Sequence, residues 1–427
     1  MKRIAKTWLI LASISLILLT ACSKLDFLKN ENDNLPNDVI IQWNLVALQA
    51  EGGTTYPNPI IPTRANAMVH IAMHDALNAI NHRYEQYAYK TEGRWEADPI
   101  AAASSAAYTV LLGSFPETKS MLDSALQASL STIPAGARKE QGIALGMKAG
   151  NAILAMREGD GAMANPAVFI EPSTVPGVYN VVPPFDFLFG SNYTTMKLFS
   201  LQTNDQFRSV PPPALTSELY TRDFNEIKSV GRLNSTTRTA DQSAYAKWWY
   251  EFVELGWNRV ARIKSQNHQT GLYKTARLFA LMNMAIIDSY IAGFEAKNYY
   301  NFWRPYTAIR RADTDGNEQT VADPTWESAE PTPPVQDYPS THSVGANAAA
   351  TVLAHFFGDH TGFTMTSSTG VPATSIRSFK SFKQAADENA DSRVMAGIHY
   401  RFATVAGQKM GDQIGNWTLK NHLKPLK

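Results

Sequence analysis

Three short segments in the last third of the chain carry residues suited to bind and transform a small anion. In the first, K-N-Y-Y-N-F-W-R-P, Lys297 and Arg304 are seven residues apart. This spacing is close to two turns of a helix, so both cations would lie on one face and could bend toward one highly charged anion. Pro305 should end or kink the helix, because proline disfavours helical geometry in the residue before it. Arg304 would then be free to turn into a cavity.

The second segment, P-S-T-H, combines a helix start with a histidine. Ser340 is a favourable N-cap for the apolar stretch 344–357, so Ser340 and Thr341 should lie where a helix begins. Free backbone N–H groups and the positive end of the helix dipole make such a place an anion site. His342 would lie in the first turn, within reach of a bound anion as an acid or a base.

The third segment, S-R-V-M-A-G-I-H, adds Arg393 and His399. Their six-residue spacing places them on different faces of a straight helix. We therefore expect a helix start or a distortion near Gly397 that turns both side chains to one side. Two histidines, three cations and a helix N-terminus suit a tetrahedral or trigonal-bipyramidal oxyanion. One imidazole would bond to the central atom and the other would handle a proton.

Together these segments read K-x6-R-P, P-S-x-H and S-R-x5-H, in this order. The pattern resembles the three signatures of the vanadium-dependent haloperoxidase and acid phosphatase superfamily, which includes the type-2 phosphatidic acid phosphatases. The stretch M-N-M-A-I-I-D-S-Y-I-A-G-F-E-A before the first signature and A-M-V-H-I-A-M-H-D-A-L-N-A-I near the amino end resemble its haloperoxidase branch. The resemblance extends over residues 40–420 and implies two four-helix bundles in one domain.

This resemblance implies a role for each residue of the three segments. Vanadate would bond to a nitrogen of His399, and His342 would manage protons as hydrogen peroxide and then a halide react. Vanadium would act as a Lewis acid without a change of oxidation state. The oxygens of vanadate would be held by Lys297, Arg304, Ser340, the backbone N–H of Thr341, and Arg393.

The same motifs are compatible with a secreted acid phosphatase. Phosphate would occupy the same pocket, His399 would form a phosphohistidine, and His342 would protonate the leaving group of a phosphate ester. Chain length and the flanking stretches favour the haloperoxidase. A third alternative is a surface lipoprotein that keeps the pocket for binding or scaffolding.

Two positions depart from the family pattern, and one further residue is a candidate for the site. Thr341 stands where most members have glycine, and its methyl and hydroxyl groups would crowd the pocket. Val335 stands where haloperoxidases often have phenylalanine or histidine. The choice of halide is therefore open. Iodide, the easiest to oxidise, is favoured, bromide comes second, and chloride is the least favoured. Glu251 is a candidate to brace the second arginine, Arg393, although a solvent-exposed glutamate is the alternative.

The amino end predicts export and lipidation. Residues 1–22 combine a basic head, an apolar core and the lipobox L-T-A-C, which ends at Cys22, the single cysteine of the chain. We expect an exported bacterial lipoprotein, anchored in the periplasm or at the outer membrane or cell surface through a lipidated Cys22. The alternative is an ordinary cleaved signal with a chance cysteine. Residues 23–38 would form a tether and residues 39–427 a single helical domain, whose oligomeric state stays open.

The remaining patterns predict an all-α fold. The formal net charge of +1 gives no case for nucleic-acid binding. His70 and His74 share a helix face beside Asp75 and could hold a metal, but tight packing with hydrogen-bonded histidines is the favoured interpretation. The proline-rich stretch 159–214 is a long irregular excursion, which would either cover the entrance or wrap over the core. Periodicity predicts helices at 63–80, 100–112, 118–130, 138–157, 240–265, 278–303, 344–357 and 394–419.

Overall fold

The protein is described by a computed structural model that covers residues 35–54 and 56–426. The predicted signal segment and Cys22 lie outside the described residues. The fold is all-α, as predicted. The helices are α1 Asp38–Ala50, α2 Ile60–Ile80, α3 Pro99–Ser114, α4 Lys119–Ser131, α5 Ala137–Met156, α6 Glu218–Val230, α7 Ala240–Trp248, α8 Val253–Asn267, α9 Leu272–Tyr300, α10 Pro305–Arg310, α11 Thr341–Phe357, α12 Phe382–Met395 and α13 Arg401–Asn421.

Several boundaries differ from the sequence prediction. The predicted helices at 240–265 and 394–419 are each two helices, and four short strands pair into two small antiparallel sheets that the sequence did not indicate. The tether was predicted to reach residue 38, but Asn37 is buried and donates to the carbonyl of Ser265 at 3.1 Å. The strands are β1 Ala167–Val168, β2 Leu188–Phe189, β3 Phe363–Thr366 and β4 Ile376–Phe379.

Helix α9 is the central element of the fold. It packs against α2 of an amino-terminal group, which also contains α3, α4 and α5, and against α11 of a carboxyl-terminal group with α12 and α13. Among the described helices, α9 is long and apolar enough to cross a membrane. However, 94% of the most apolar stretch of this helix is buried inside the protein, so α9 forms part of the core.

The start of α11 is fixed by its close approach to α13. A Cβ atom on Gly407 would come within 2.5 Å of the Ser340 carbonyl oxygen, and one on Gly411 within 2.2 Å of the Val344 carbonyl oxygen. Since real Cβ atoms do not approach so closely, glycine is required where these helices cross. This contact positions the P-S-T-H segment at the base of a cavity.

Candidate active site

Arg304 reaches the site by a route that the helical spacing did not predict. Helix α9 ends at Tyr300, and Asn301 adopts the left-handed conformation that closes many helices. Arg304 is the N-cap of α10, with Pro305 in the favoured first position. Lys297 and Arg304 therefore do not share one helix face, and that prediction is wrong. Both side chains nevertheless converge, because the chain turns between them.

The turn is held by the proline-rich excursion and by the loop before α11. Tyr179 N–H donates to the carbonyl of Asn301 at 2.9 Å, and Asp337 N–H donates to the carbonyl of Phe302 at 2.9 Å. The segment 301–304 is thereby fixed from two sides. The excursion thus has a structural role in placing Arg304, in addition to its place in the cavity wall described below.

Lys297 and Arg304 are anchored on consecutive carbonyl groups of the loop before α11. The Lys297 ammonium group donates to the carbonyls of Gln336 and Asp337, the latter at 3.0 Å. The Arg304 Nε donates to the carbonyl of Val335 at 2.6 Å. Both cations are fully buried. The loop backbone therefore holds both cations with neutral dipoles.

Arg393 and His399 are brought together as predicted, through a turn at Gly397. Gly397 has a φ of +78°, and the His399 N–H donates back to the carbonyl of Arg393 at 3.3 Å. A Cβ on Gly397 would also lie 2.1 Å from the Gly231 carbonyl oxygen. The Arg393 guanidinium donates to the carbonyl of Trp249 at 3.1 Å. The distortion lets the two side chains face one cavity.

Asp337 is the site residue that sequence reasoning missed. Its Oδ1 lies 3.0 Å from His399 Nδ1 and 3.9 Å from a guanidinium nitrogen of Arg304, and its side chain is fully buried. Burial raises the pKa of Asp337 to about 7, against the lowering effect of Arg304 and Lys297. A carboxylate that faces Nδ1 favours a hydrogen on that nitrogen, so Nε2 keeps its lone pair and accepts from Arg304 Nη1 at 3.1 Å. The sequence feature that could have identified Asp337 is its position, an acidic residue three positions before Ser340.

His342 is held by the backbone of Glu251, the residue predicted to brace Arg393. Its Nε2 lies 3.1 Å from the carbonyl oxygen of Glu251, which can only accept, so the hydrogen is on Nε2. The Glu251 carboxylate instead pairs with Arg259 at 2.8 Å and accepts from Ser368. Glu251 is buried, so neither the brace nor the exposed alternative is correct.

Ser340 and Thr341 occupy the predicted helix start. Ser340 Oγ caps α11 by accepting from the Ser343 N–H, and Ser343 Oγ donates to it at 3.1 Å. Thr341 lines the cavity, but its methyl carbon would lie 2.6 Å from a Cβ on Gly293 of α9. The methyl group therefore packs over a helix glycine, which reduces the crowding expected from the Thr341 substitution.

The electrostatics of the free site favour an anion. Burial and mutual repulsion lower the pKa of Lys297 well below its usual value and that of Arg393 to about 10. Burial and the same cations lower the pKa values of His342 and His399 well below 6.5. Within the described residues, Arg304 Nη2 and Arg393 Nε are buried without a hydrogen-bond partner. Since buried donors are normally paired, these two N–H groups are available to a bound oxyanion.

The cavity above these groups has a volume of about 470 Å³. Its base is formed by Arg304, Thr341, His342, Arg393 and His399, whereas Lys297 and Ser340 lie behind the surface. The excursion contributes Phe185, Phe187 and Phe189 to the wall.

The paired histidines of α2 have separate partners. His70 Nε2 lies 2.9 Å from the Asn44 amide, and His74 Nε2 lies 3.0 Å from the carbonyl of Glu85. Burial lowers their pKa values to about 3 and about 4. Asp75 accepts from three backbone N–H groups of residues 87–89. These contacts agree with the packing interpretation.

Comparison with known proteins extends the resemblance beyond the motifs. Residues 277–427 match the family model of the VCPO second helical-bundle domain. Vanadium chloroperoxidase of Curvularia inaequalis is 24% identical over 282 residues, which are 50% of this chain and 46% of that protein. The match thus spans about half the length of that curated relative.

Two solved bacterial structures share the fold over nearly their whole length. A vanadium-dependent iodoperoxidase is 25% identical with a TM-score of 0.78, covering 92% of this chain and 99% of the other. A holo-type vanadium-dependent chloroperoxidase is 16% identical with a TM-score of 0.71, covering 90% and 97%, and supports the fold alone. The likeness therefore includes the arrangement of helices that positions the three motifs.

Proposed function

We propose that this chain, a relative of the vanadium haloperoxidases in fold and in its carboxyl-terminal helices, binds vanadate and oxidises halide with hydrogen peroxide. The observation that carries the proposal is the buried cluster of Lys297, Arg304 and Arg393, in which Arg304 Nη2 and Arg393 Nε have no partner and Arg304 Nη1 lies 3.1 Å from His399 Nε2. A multiply charged oxyanion bound here would supply the missing acceptors and the counter-charge. Vanadate fits this donor set, since it offers both oxygen acceptors and a central atom for a nitrogen ligand.

Each residue then has one task. Arg304, Arg393 and the helix N-terminus at Thr341 would hold the oxygens, Lys297 would add positive charge from behind the cavity surface, and Asp337 would orient His399 so that Nε2 faces the anion. Bound vanadate supplies a Lewis acid that polarises peroxide. His342, fixed through Nε2–H, presents its other ring nitrogen as the group that takes and returns a proton.

Iodide is the proposed halide, with bromide next. The bacterial relative with 25% identity is an iodoperoxidase, and iodide is the most easily oxidised of the three. The position expected to carry phenylalanine or histidine is Val335, whose carbonyl is engaged with Arg304. Its small side chain adds no hydrogen-bond donor for a more strongly hydrated halide.

One experiment tests this function. The apoprotein is loaded with vanadate or with phosphate, and formation of triiodide from iodide and peroxide is measured beside hydrolysis of a phosphate ester. We expect vanadate-dependent triiodide formation and little ester hydrolysis. Ester hydrolysis without triiodide formation would favour the acid phosphatase instead.

Binding of the anion should take up protons at the site. The cations and burial depress the pKa of His342 in the free protein, and a bound anion would raise it again. The complex therefore holds more protons than the free protein, so affinity should fall as pH rises. Calorimetry of vanadate binding in buffers of different ionisation enthalpy measures this uptake. His342→Ala should reduce it, and equal uptake in both proteins would contradict the assignment.

We also propose export with lipidation at Cys22, which rests on the lipobox in residues 19–22. Cys22→Ala should leave the protein unprocessed or mislocalised, because it removes the thiol that accepts the lipid. Detergent partitioning and the mass of the mature amino terminus measure the effect. A variant processed and membrane-partitioned like the wild type would instead indicate an ordinary signal.

A further inference from the structure

Glu254 is a buried carboxyl group outside the anion site. It lies in the first turn of α8 and is 1% exposed. Its two oxygens accept from two tyrosine hydroxyl groups, that of Tyr56 at 2.5 Å and that of Tyr290 at 3.0 Å. Burial raises the pKa of Glu254 to about 7, against the lowering effect of these hydrogen bonds. The carboxyl group can therefore gain and lose a proton close to neutral pH.

Tyr290 connects this carboxyl group with the anion cavity. Its side chain lines the cavity whose base contains Arg393. Burial and Glu254 raise the pKa of Tyr290 well above 10, and the positive charge of Arg393 opposes that rise. A hydroxyl group can accept a proton on one side while it donates one on the other. Tyr290 can therefore pass a proton from the carboxyl group to the cavity without itself becoming charged.

On its other side, Glu254 reaches a separate crevice with a volume of about 10 Å³, which is room for about one water molecule. Of the described residues, none lines both this crevice and the anion cavity. The crevice meets solvent at Leu48 and Arg262, which are partly exposed. Its second carboxyl group is Glu51, whose pKa is raised well above its usual value by burial and by Glu254. The remaining lining residues are Asn44, Asn66, Leu255 and Asn258.

Hydrogen-bond donors already occupy the oxygens of both carboxyl groups. The Asn66 amide donates to the two oxygens of Glu51, at 2.8 and 3.0 Å. A metal ion would have to displace these donors and would meet the positive charge of Arg262. Two neighbouring carboxyl groups disfavour each other's negative charge, which favours a proton on one of them. The pair is therefore suited to hold a proton.

We propose that Glu254 and Tyr290 form a proton inlet, which carries protons from the crevice at Glu51 into the anion cavity. The proposal rests on the proposed function, whose reaction, H₂O₂ + X⁻ + H⁺ → HOX + H₂O, consumes one proton as peroxide gains two electrons from the halide. Tyr290 releases its hydroxyl proton into the cavity and takes the proton of Glu254, which is then replaced from the crevice. His342 acts at the anion itself, and the inlet restores the proton that each turnover removes.

Glu254→Gln and Tyr290→Phe test the inlet, with Tyr193→Phe as the matched control. Tyr193 is also buried and also packs on Phe294, with ring centroids 6.1 Å apart against 6.4 Å for Tyr290. Its hydroxyl group, however, accepts from Asn58 and contacts no carboxyl group. Triiodide formation is measured against pH, with and without acetic acid as a small proton carrier. In the free protein, infrared spectroscopy follows the carbonyl stretch of the protonated carboxyl group that Glu254→Gln removes.

We expect the infrared band of Glu254 to titrate near pH 7. Tyr290→Phe should raise this midpoint, because it removes a hydrogen bond that stabilises the carboxylate, whereas Tyr193→Phe should leave it in place. In Glu254→Gln and Tyr290→Phe, kcat should fall by about 10²-fold with little change in the KM for peroxide, and acetic acid should restore it. In the wild type, kcat should fall as pH rises, because the carboxyl group loses the proton that it supplies.

Wild-type kcat in both variants would overturn the proposal. A loss of kcat that acetic acid does not restore would also overturn it, in favour of a structural role. If Glu254→Gln folds poorly, Tyr290→Phe decides the question, since it removes a single hydroxyl group. Failure of the wild type to form triiodide would refute the proposed function and with it this use of the inlet, whereas the infrared titration of Glu254 would still be measurable.

Discussion

Alanine at position 399 should abolish both vanadate retention and halide oxidation, whereas alanine at position 342 should abolish turnover while vanadate stays bound. His399 Nδ1 faces Asp337 at 3.0 Å, so its Nε2 carries the lone pair, which a bound anion would take over from Arg304 Nη1 at 3.1 Å; no other imidazole is held this way in the described site. His342 is tied to the Glu251 carbonyl and contributes proton transfer, which typically accelerates a reaction by ~10²–10⁴-fold. In the proposed complex, His399 would bond to the central atom of the anion, whereas His342 would only hydrogen-bond to an oxygen.

Equilibrium dialysis with vanadate, paired with iodide oxidation, separates these roles. Asp337→Asn is the matched intermediate variant, because it keeps the shape but weakens control of the His399 ring. It should lower vanadate affinity by about 10–100-fold, between the wild type and His399→Ala. Greater vanadate loss in His342→Ala than in His399→Ala would reverse the assignment.

The sequence could predict the chemistry of this site better than its geometry. The three motifs identified every cation and histidine at the cavity, because charge and proton transfer depend on residue type. The route by which Arg304 arrives could not be read from spacing, since a left-handed Asn301 ends the helix before the second turn is complete. Gly397 was recognisable, because glycine tolerates the positive φ that a sharp turn requires.

The acidic residue of the site could not be assigned by type alone. Glu251 and Asp337 are both buried carboxylates near the cavity, but Glu251 is neutralised by Arg259 and Asp337 faces His399. Only the path of the loop before α11 decides which one reaches the cations. The central helix was predicted in the right place, whereas the break within 240–265 depends on tertiary contacts that hydrophobic periodicity does not report.

These pairings set Arg259, which is partly exposed, apart from Arg393, which is buried. Arg259 has a carboxylate partner at 2.8 Å, so its charge is compensated within the fold. Arg393 has one carbonyl partner and an unpaired Nε, and its guanidinium carbon lies 5.3 Å from the centre of the Tyr250 ring. A buried arginine without a full set of partners lowers the stability of the free protein. A bound oxyanion supplies the missing partner and removes this destabilisation. Stability and binding should therefore depend on different arginines.

Arg393→Met should weaken vanadate binding by about 100-fold while it changes the free energy of unfolding of the apoprotein by less than about 1 kcal/mol. The folded pKa of Arg393 is lowered to about 10, so the penalty for its charge is relieved only as pH rises above that value. At neutral pH the penalty is fully present, and methionine removes it at the expense of one hydrogen bond to a carbonyl.

Arg259→Met should do the opposite, since it leaves the buried Glu251 carboxylate unpaired and should cost about 3 kcal/mol of stability, with less than tenfold loss of affinity. Urea unfolding of the apoproteins and vanadate dialysis measure both quantities. If Arg393→Met lost as much stability as Arg259→Met and kept vanadate affinity, Arg393 would be a structural residue and the anion site would lose one of its three cations.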